Sequence, residues 1–509
     1  MNDGEAPDRG LGSGLTRWQG RALAAFAGAV AALALPPFGA WYAVFPAVAL
    51  VAMLVVTAPD ARGAAWRGWC AGTGWFAVSM HWIVQPFFVD AAATGWMAPI
   101  ALVLMAGGLA LFWGLAAWLS VRLAGAGRPG RALAFAGLLT LSEALRGRVF
   151  SGLPWAEPGH ALIGTEALAL SAFGGPHGMT LAVLGLSSLS AIAYLSRGPS
   201  LAALPLAAGL VLGLIPWAAP APQPQPDAAS IRVVQINAPQ HLKWRRDMIP
   251  VFFDRALALT AQAAATPPDI IIWPETSLPE ILSGSEGSRG RIAEAAMGAQ
   301  VIVGGQRYAG FEPRNVLAVL DGAGAIAQVY DKHHLVPFGE YLPLRGLADR
   351  LGLNAIAQQL SGGYWPGAGP VLIDFGQFGR AFPMICYEAI FPRYIRAVER
   401  PDWMVQITND AWFGSFAMPY QHLALARLRA AEQGLPLIRA ANTGISAVID
   451  ARGRIVEALP MGTQGTIDTL LPATLPPTPY ARWGDLPALL IALLATLGGL
   501  AWGRRRTAH

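Results

Sequence analysis

Charged residues are spaced so unevenly in this 509-residue chain that its first 226 residues have no ordinary soluble fold open to them. That segment holds 11 arginines, no lysine and eight acids, and these charges leave long runs between them with none. A helix needs about 20 mostly apolar residues to cross the hydrocarbon core, and there every backbone N–H and C=O must be bonded within the segment. Ala22–Pro59 is uncharged and is broken by Pro36-Pro37 and Gly39 into two helices. Gly68–Val89 and Trp96–Val121 are uncharged, Ala132–Ser142 is a shorter apolar stretch running into Glu143, Arg146 and Arg148, and Ala167–Ser196 and Gly198–Trp217 follow. Leu486–Gly503 stands alone near the C-terminus. The pattern predicts a multi-span α-helical membrane bundle of about eight helices, seven before a polar segment and one after it. An even number places both termini on one side.

The bases choose that side. Arg9, Arg17 and Arg21 precede the first span, Arg62 and Arg67 fall between the second and third, and Arg122, Arg128 and Arg131 between the fourth and fifth. Arg197 separates the sixth from the seventh, and Arg504, Arg505 and Arg506 follow the last. The opposite loops, 36–41 and 85–95, contain no base. Arg146 and Arg148 alone break the pattern, either as contacts for lipid phosphates or as plain surface charge. Both termini are therefore expected in the cytoplasm of a bacterium, with the polar segment in the periplasm and the chain in the inner membrane.

Residues 227–481 are a different material, with 21 bases, 22 acids and enough length to bury a core of their own. The expected organisation is a membrane domain over 1–226 that ends in the Pro-rich exit linker 216–226, a catalytic domain over 227–481, and an eighth span with a basic tail over 482–509. The net charge of +5 comes from the two membrane parts, so no nucleic-acid partner is expected. Short β-branched runs recur at Ile231–Asn237, Asp269–Trp273, Gln300–Gly304, Asn315–Leu320, Ala381–Cys386, Trp403–Thr408 and Ser446–Ile449. Helical stretches such as Arg246–Ala265 and His422–Gln433 separate several of them, which predicts a layered α/β domain.

Three residues stand where such runs end. Glu275 follows Ile270-Ile271-Ile272-Trp273-Pro274; a carboxylate there suits general-base work, although a surface turn acid has the same pattern. Lys332 is one of two lysines beside 34 arginines, as if a compact ammonium were required. Lys243, the other, reads as an ordinary surface lysine. Cys386 is one of two cysteines, and its only possible mate, Cys70, lies in a predicted span. A free thiol in an oxidising compartment is either a small buried hydrophobe or a nucleophile, and beside acids and a lysine the second is the better reading. No serine lies in a nucleophile elbow and no histidine pair has zinc spacing, so serine-hydrolase and zinc-peptidase readings lack support.

Together these blocks resemble the nitrilase, or carbon–nitrogen hydrolase, superfamily. They are Trp273-Pro274-Glu275-Thr276, the run from Tyr330 through Lys332 to Glu340, and Ile385-Cys386-Tyr387-Glu388, with the key residues 57 and 54 positions apart. Within it, the flanking spans resemble the apolipoprotein N-acyltransferase family, as do His241-Leu242-Lys243-Trp244, Thr408–Phe413 and Arg439–Gly444. The resemblance implies an αββα sandwich, with Glu275 as general base, Cys386 as nucleophile, and Lys332 with the Tyr387 N–H stabilising an oxyanion. Glu340 and Glu388 would support the site. The implied reaction moves an acyl chain from the sn-1 position of a phospholipid, phosphatidylethanolamine, through a Cys386 thioester to the amine of a diacylglyceryl-cysteine on an apolipoprotein. The implied cycle uses no metal and no other cofactor. Trp244, Trp412 and Phe413 are candidate lipid contacts. A membrane-tethered amidase that passes the thioester to water is the alternative; a transporter would need ionisable residues in mid-span, and His81 is the one candidate.

Overall fold

The computed structural model describes residues 15–217, 219–220, 222–343 and 363–505; Arg9 and Arg506 lie outside them. The chain divides into two compact units, Pro220–Ala481 and, on either side of it, Met1–Ala219 with Arg482–His509.

The flanking unit is helical: α1 (Arg17–Ala32), α2 (Val44–Val56), α3 (Ala61–Ser79), α4 (Ala98–Leu123), α5 (Arg128–Arg146), α6 (Ser171–Arg197), α7 (Pro199–Leu214) and the C-terminal helix Leu486–Arg505. Three stretches among the described residues are long and apolar enough to cross a membrane, namely Ala91–Leu123, Glu166–Arg197 and Leu486–Arg504, and Trp41–Val56 and Pro199–Leu214 are shorter apolar helices. Small residues let the helices meet backbone to backbone. A side-chain carbon on Gly130 of α5 would lie 2.5 Å from the Gly499 carbonyl of the C-terminal helix.

Two expectations change here. The third helix starts seven residues before Gly68 and stops at Ser79, with a 3₁₀ segment over His81–Phe88, so Arg67 is not a loop base. It is buried in the helix and donates to the Leu54 carbonyl at 2.6 Å. Nor does Arg146 face lipid phosphate. It is 2% exposed, its guanidinium is bonded to Glu143 and to the Leu153 carbonyl, and Trp113 donates to the other Glu143 oxygen at 2.9 Å. A helix can bury these two charges because each neutralises the other. Arg148 pairs with Asp485 at 2.7 Å and leaves about half of its side chain exposed.

The second unit is two six-stranded mixed sheets. The strands are β1 (Ser230–Gln235), β2 (Ile270–Ile272), β3 (Gln300–Ala309), β4 (Glu312–Leu320), β5 (Ile326–Asp331), β6 (Ile373–Asp374), β7 (Arg380–Ile385), β8 (Trp403–Thr408), β9 (Leu437–Ala441), β10 (Ser446–Ile449), β11 (Ile455–Leu459) and β12 (Gly465–Leu470). Their orders are β12-β1-β2-β3-β4-β5 and β11-β10-β9-β8-β7-β6, parallel at the centres and antiparallel towards the edges. Central strands are buried on both faces, which is why Ile270-Ile271-Ile272 shows no alternation. Ile231, Ile270 and Ile272 of one sheet pack with Ile385, Val405 and Ile407 of the other, forming the inter-sheet core. On the outer face of the first sheet lie α8 (Ile249–Thr260) and α9 (Glu286–Ala296), through Phe252, Phe253 and Ile292. The outer face of the second is covered by α10 (Met418–Gln433), through Leu423, Ala426 and Ala430. The layers are therefore αββα.

Candidate active site

Strands end at all three chemical residues. β2 runs through Trp273 and Pro274 to Glu275, β5 delivers Lys332, and β7 delivers Cys386, so both sheets contribute. Parallel sheets build sites at such carboxyl ends because the strand backbone is satisfied up to that point and the side chain beyond it is free to face a cleft. Cys386 itself has φ +52°, in the left-handed region that costs a non-glycine residue of order 1–3 kcal/mol. It opens a 3₁₀ turn over Cys386–Ile390.

Glu275, Lys332 and Cys386 are 7%, 1% and 7% exposed. Lys332 Nζ lies 3.8 Å from Glu275 Oε1 and 2.8 Å from Glu340 Oε1. Asn315 Nδ2 donates to Glu275 Oε1 at 2.8 Å and to Glu340 Oε1 at 3.3 Å, while the Asn409 N–H donates to Glu275 Oε2 at 2.8 Å. The Val336 N–H holds the second Glu340 oxygen at 2.8 Å. Burial raises the Glu275 carboxyl above its ordinary range, with Lys332 opposing and Glu340 adding to the effect. Burial alone would lower Lys332; the Glu340 and Glu275 carboxylates outweigh it and hold the ammonium far above the usual lysine range. Burial, then the charge of Glu275, pushes the Cys386 thiol well up, against Lys332. The arrangement sets a thiol whose ionisation is opposed beside a carboxyl group and an ammonium whose charge is favoured. It is suited to moving one proton from sulfur to oxygen when a substrate arrives.

Glu388 joins the lysine and cysteine blocks. Its Oε1 accepts from Tyr330 Oη at 2.7 Å and from the His333 N–H at 2.9 Å, and its Oε2 from the Ile385 N–H at 2.8 Å. Burial opposes its ionisation, and the His333 ring, whose Nδ1 lies 2.9 Å from Oε1, leads the interactions that still hold its carboxyl below the usual range. Tyr387 packs edge-on against Phe391 with ring centres 5.1 Å apart. Trp244 and Trp412 are each about two-fifths exposed, and Trp412 and Phe413 stand on the turn that begins at Asp410, next to Asn409. Arg146 and Arg148 belong to the helical unit.

A second buried network, which no local sequence pattern announces, stands behind Cys386. The Cys386 carbonyl lies 3.1 Å from both Gln406 Nε2 and His422 Nε2. Arg439 Nη1 donates to Gln406 Oε1 at 2.6 Å, its Nη2 bonds Asp410, and His422 Nδ1 is 2.9 Å from Asp410 Oδ1. These groups hold the carbonyl of the left-handed residue. Asp410 and Arg439 fall inside the quoted motifs, but Gln406 and His422 come from a strand interior and a helix face that carry no local signal. Burial opposes the Asp410 charge, yet Arg439 and His422 keep its carboxyl far below the ordinary range. Because the folded value is depressed, the stability it contributes is present above about pH 4 and lost as the pH falls. Arg439→Met would leave Asp410 buried without its main counter-charge. The expected cost is about 3–5 kcal/mol, read as a large loss in thermal unfolding temperature of the detergent-solubilised protein. An unchanged transition would mean that the network does not hold the turn.

Lys243 is also not where the sequence suggested. It is 7% exposed, and its Nζ donates to the Glu275 carbonyl at 3.2 Å and to Thr276 Oγ1 at 3.1 Å. The misreading has a physical reason: a lysine in a polar stretch is normally solvated, and only a partner 32 residues away takes this one inside.

Residues 230–480, the two mixed sheets with Glu275, Lys332 and Cys386 at their strand ends, match the family described as carbon-nitrogen hydrolase. Residues 27–189 match the apolipoprotein N-acyltransferase N-terminal domain. The apolipoprotein N-acyltransferase of Caulobacter vibrioides is 38% identical over 506 residues, covering 94% of each chain. That of Rhodopseudomonas palustris is 37% identical over 515 residues, covering 94% of this chain and 95% of its own. The Bradyrhizobium diazoefficiens protein is 36% identical over 522 residues, covering 96% of each. This chain belongs to the apolipoprotein N-acyltransferase family.

Proposed function

We propose that this chain transfers an acyl group from the sn-1 ester of a phospholipid, phosphatidylethanolamine, to the N-terminal amine of the diacylglyceryl-cysteine of an apolipoprotein. The observation that carries the reading is the buried thiol of Cys386 on its left-handed turn, facing the charges of Glu275 and Lys332. The Glu275 carboxylate takes the thiol proton as sulfur attacks the ester carbonyl. Lys332 and the Tyr387 N–H stabilise the oxyanion, each such donor being worth about 3 kcal/mol of barrier. The ester C–O bond breaks, the lysophospholipid oxygen takes the proton from Glu275, and a thioester remains on Cys386. The acceptor amine attacks that thioester, the C–S bond breaks, and the proton lost by the amine returns to sulfur. Glu340 and Glu388 hold Lys332 and the turn in place; Trp244, Trp412 and Phe413 offer aromatic faces to acyl chains.

Intact-mass measurement on protein incubated with phospholipid tests this. We expect an adduct of one acyl chain that hydroxylamine removes and a diacylglyceryl lipopeptide discharges. No adduct from any phospholipid would sink the scheme, and discharge in plain buffer as fast as with lipopeptide would instead indicate a hydrolase.

We further propose that residues 1–226 form a seven-span membrane domain ending in the Pro-rich linker, that 227–481 is periplasmic, and that 482–509 adds the eighth span with a cytoplasmic tail. The three long apolar stretches, and the arginines gathered between the spans on one side, support it and suit the inner membrane of a bacterium. A reporter fused after His509 should behave as cytoplasmic and one inserted in an exposed loop of 227–481 as periplasmic; the opposite result overturns the orientation.

A further inference from the structure

The chain has two lysines against 34 arginines, and both come to the same residue, Glu275. Lys332 approaches the side chain of Glu275; Lys243 holds its backbone carbonyl and the hydroxyl of the next residue. That next residue, Thr276, has φ +48°, a conformation that a β-branched side chain adopts only when its surroundings force it. From the other side, a side-chain carbon on Gly304 of β3 would lie 2.5 Å from Thr276 N and 2.6 Å from Glu275 Cα, so the strand presses the turn without room to spare. The Ser277 and Leu278 N–H groups both donate to the Gly304 carbonyl at 2.9 Å. The Glu275 peptide is thus clamped between β3 and one buried ammonium. An ammonium is a compact charge with three donors, and it reaches a carbonyl and a hydroxyl from one point, whereas a guanidinium presents a flat fork of different reach.

We propose that Lys243 is a positioning residue for the general base: it holds the strained Glu275–Thr276 turn and places a second positive charge beside the carboxylate that receives the Cys386 proton. The inference rests on the reading of Glu275 as that base. The charged and titratable groups around Glu275 are Lys332, Glu340, Lys243, the Cys386 thiol and Tyr364. Lys332 and Lys243 favour the ionised carboxylate; burial and Glu340 oppose it. Burial lowers Lys243 to about 8, against the pull of Glu275, so its charge is present through neutral pH and lost above it.

The test uses the full chain in phospholipid–detergent micelles and reads single-turnover acylation of Cys386 by mass across pH. Lys243→Met should slow acylation by about 10²-fold at neutral pH, the scale expected for a misplaced catalytic group. Removing the cation raises the Glu275 pKa, so the acid limb of the profile should move to higher pH. The wild type should show an inflection near pH 8, which Lys243→Arg, charged at every pH used, should lack while recovering the acid limb. The apparent KM for phospholipid should stay within about threefold, because Lys243 acts through Glu275 and not on the lipid. Counting alkylatable Cys386 normalises each rate to folded sites. A normal rate per folded site, or a slower rate with an unmoved acid limb in Lys243→Met, overturns the proposal. Glu275→Gln separates the two readings: acylation at wild-type rate in that variant removes the base itself and leaves Lys243 with nothing to position.

Discussion

Cys386→Ala abolishes both the acyl adduct and transfer to lipopeptide, with a fall of at least about 10⁴-fold in turnover, because no other group can form the covalent intermediate. The only other thiol, Cys70, belongs to α3 of the helical unit and cannot substitute. The side chain contributes little to the core beyond its own small volume, so the alanine variant should unfold at nearly the wild-type temperature. That contrast makes the experiment decisive. Normal stability with no adduct identifies the nucleophile, whereas an adduct that persists in Cys386→Ala places the acyl group elsewhere and overturns the mechanism. Cys386→Ser is the finer probe. Its hydroxyl is a far poorer acid than a thiol, so any ester it forms should accumulate slowly and resist discharge by the amine.

Lys332→Met is expected to slow acyl-enzyme formation by about 10³-fold, from two causes that act together. One oxyanion donor disappears, which typically costs 10²–10³-fold. The ammonium between Glu275 Oε1 and Glu340 Oε1 disappears as well, so a buried carboxylate and a partly buried one face each other across Asn315. Such a pair keeps a proton that the wild type releases. The sign follows: Lys332 lowers the Glu275 pKa, and without it the base ionises only at higher pH. The residual rate should therefore climb with pH through the range where the wild-type rate is level. A variant that retains acylation within about threefold would show that Lys332 is neither donor nor counter-charge. Lys332→Arg should not restore the rate, since the guanidinium cannot place a single proton where the ammonium does.

How much could be read in advance depended on the range of the interaction. The buried run Ile270–Ile272 and the strand ending at Ile385 are visible as continuous apolar segments because both faces of a central strand are covered. Strands β6, β9, β11 and β12 were not among the expected runs. Ile373–Asp374 is two residues long, Ile455–Leu459 is largely exposed, and only Gly434-Leu435-Pro436 separates Leu437–Ala441 from the preceding helix. Arg67 and Arg146 misled in the same way as Lys243. A charged residue was assumed to be at a surface, and each found a distant backbone or a buried acid that removes the need for water.

Composition and order alone determined that this chain has two materials, one too poor in charge to live in water, and that a glutamate, a lysine and a cysteine close three strand-like runs in one polar domain. Those are local properties, written in contiguous residues. Only the tertiary structure decided that the second lysine turns inward to the backbone carbonyl of Glu275, and that Gln406, His422, Asp410 and Arg439 stand behind the carbonyl of Cys386. The reason is physical: such groups are tolerable in a core only when their partners are already there, and those partners arrive from positions 20 to 36 residues away.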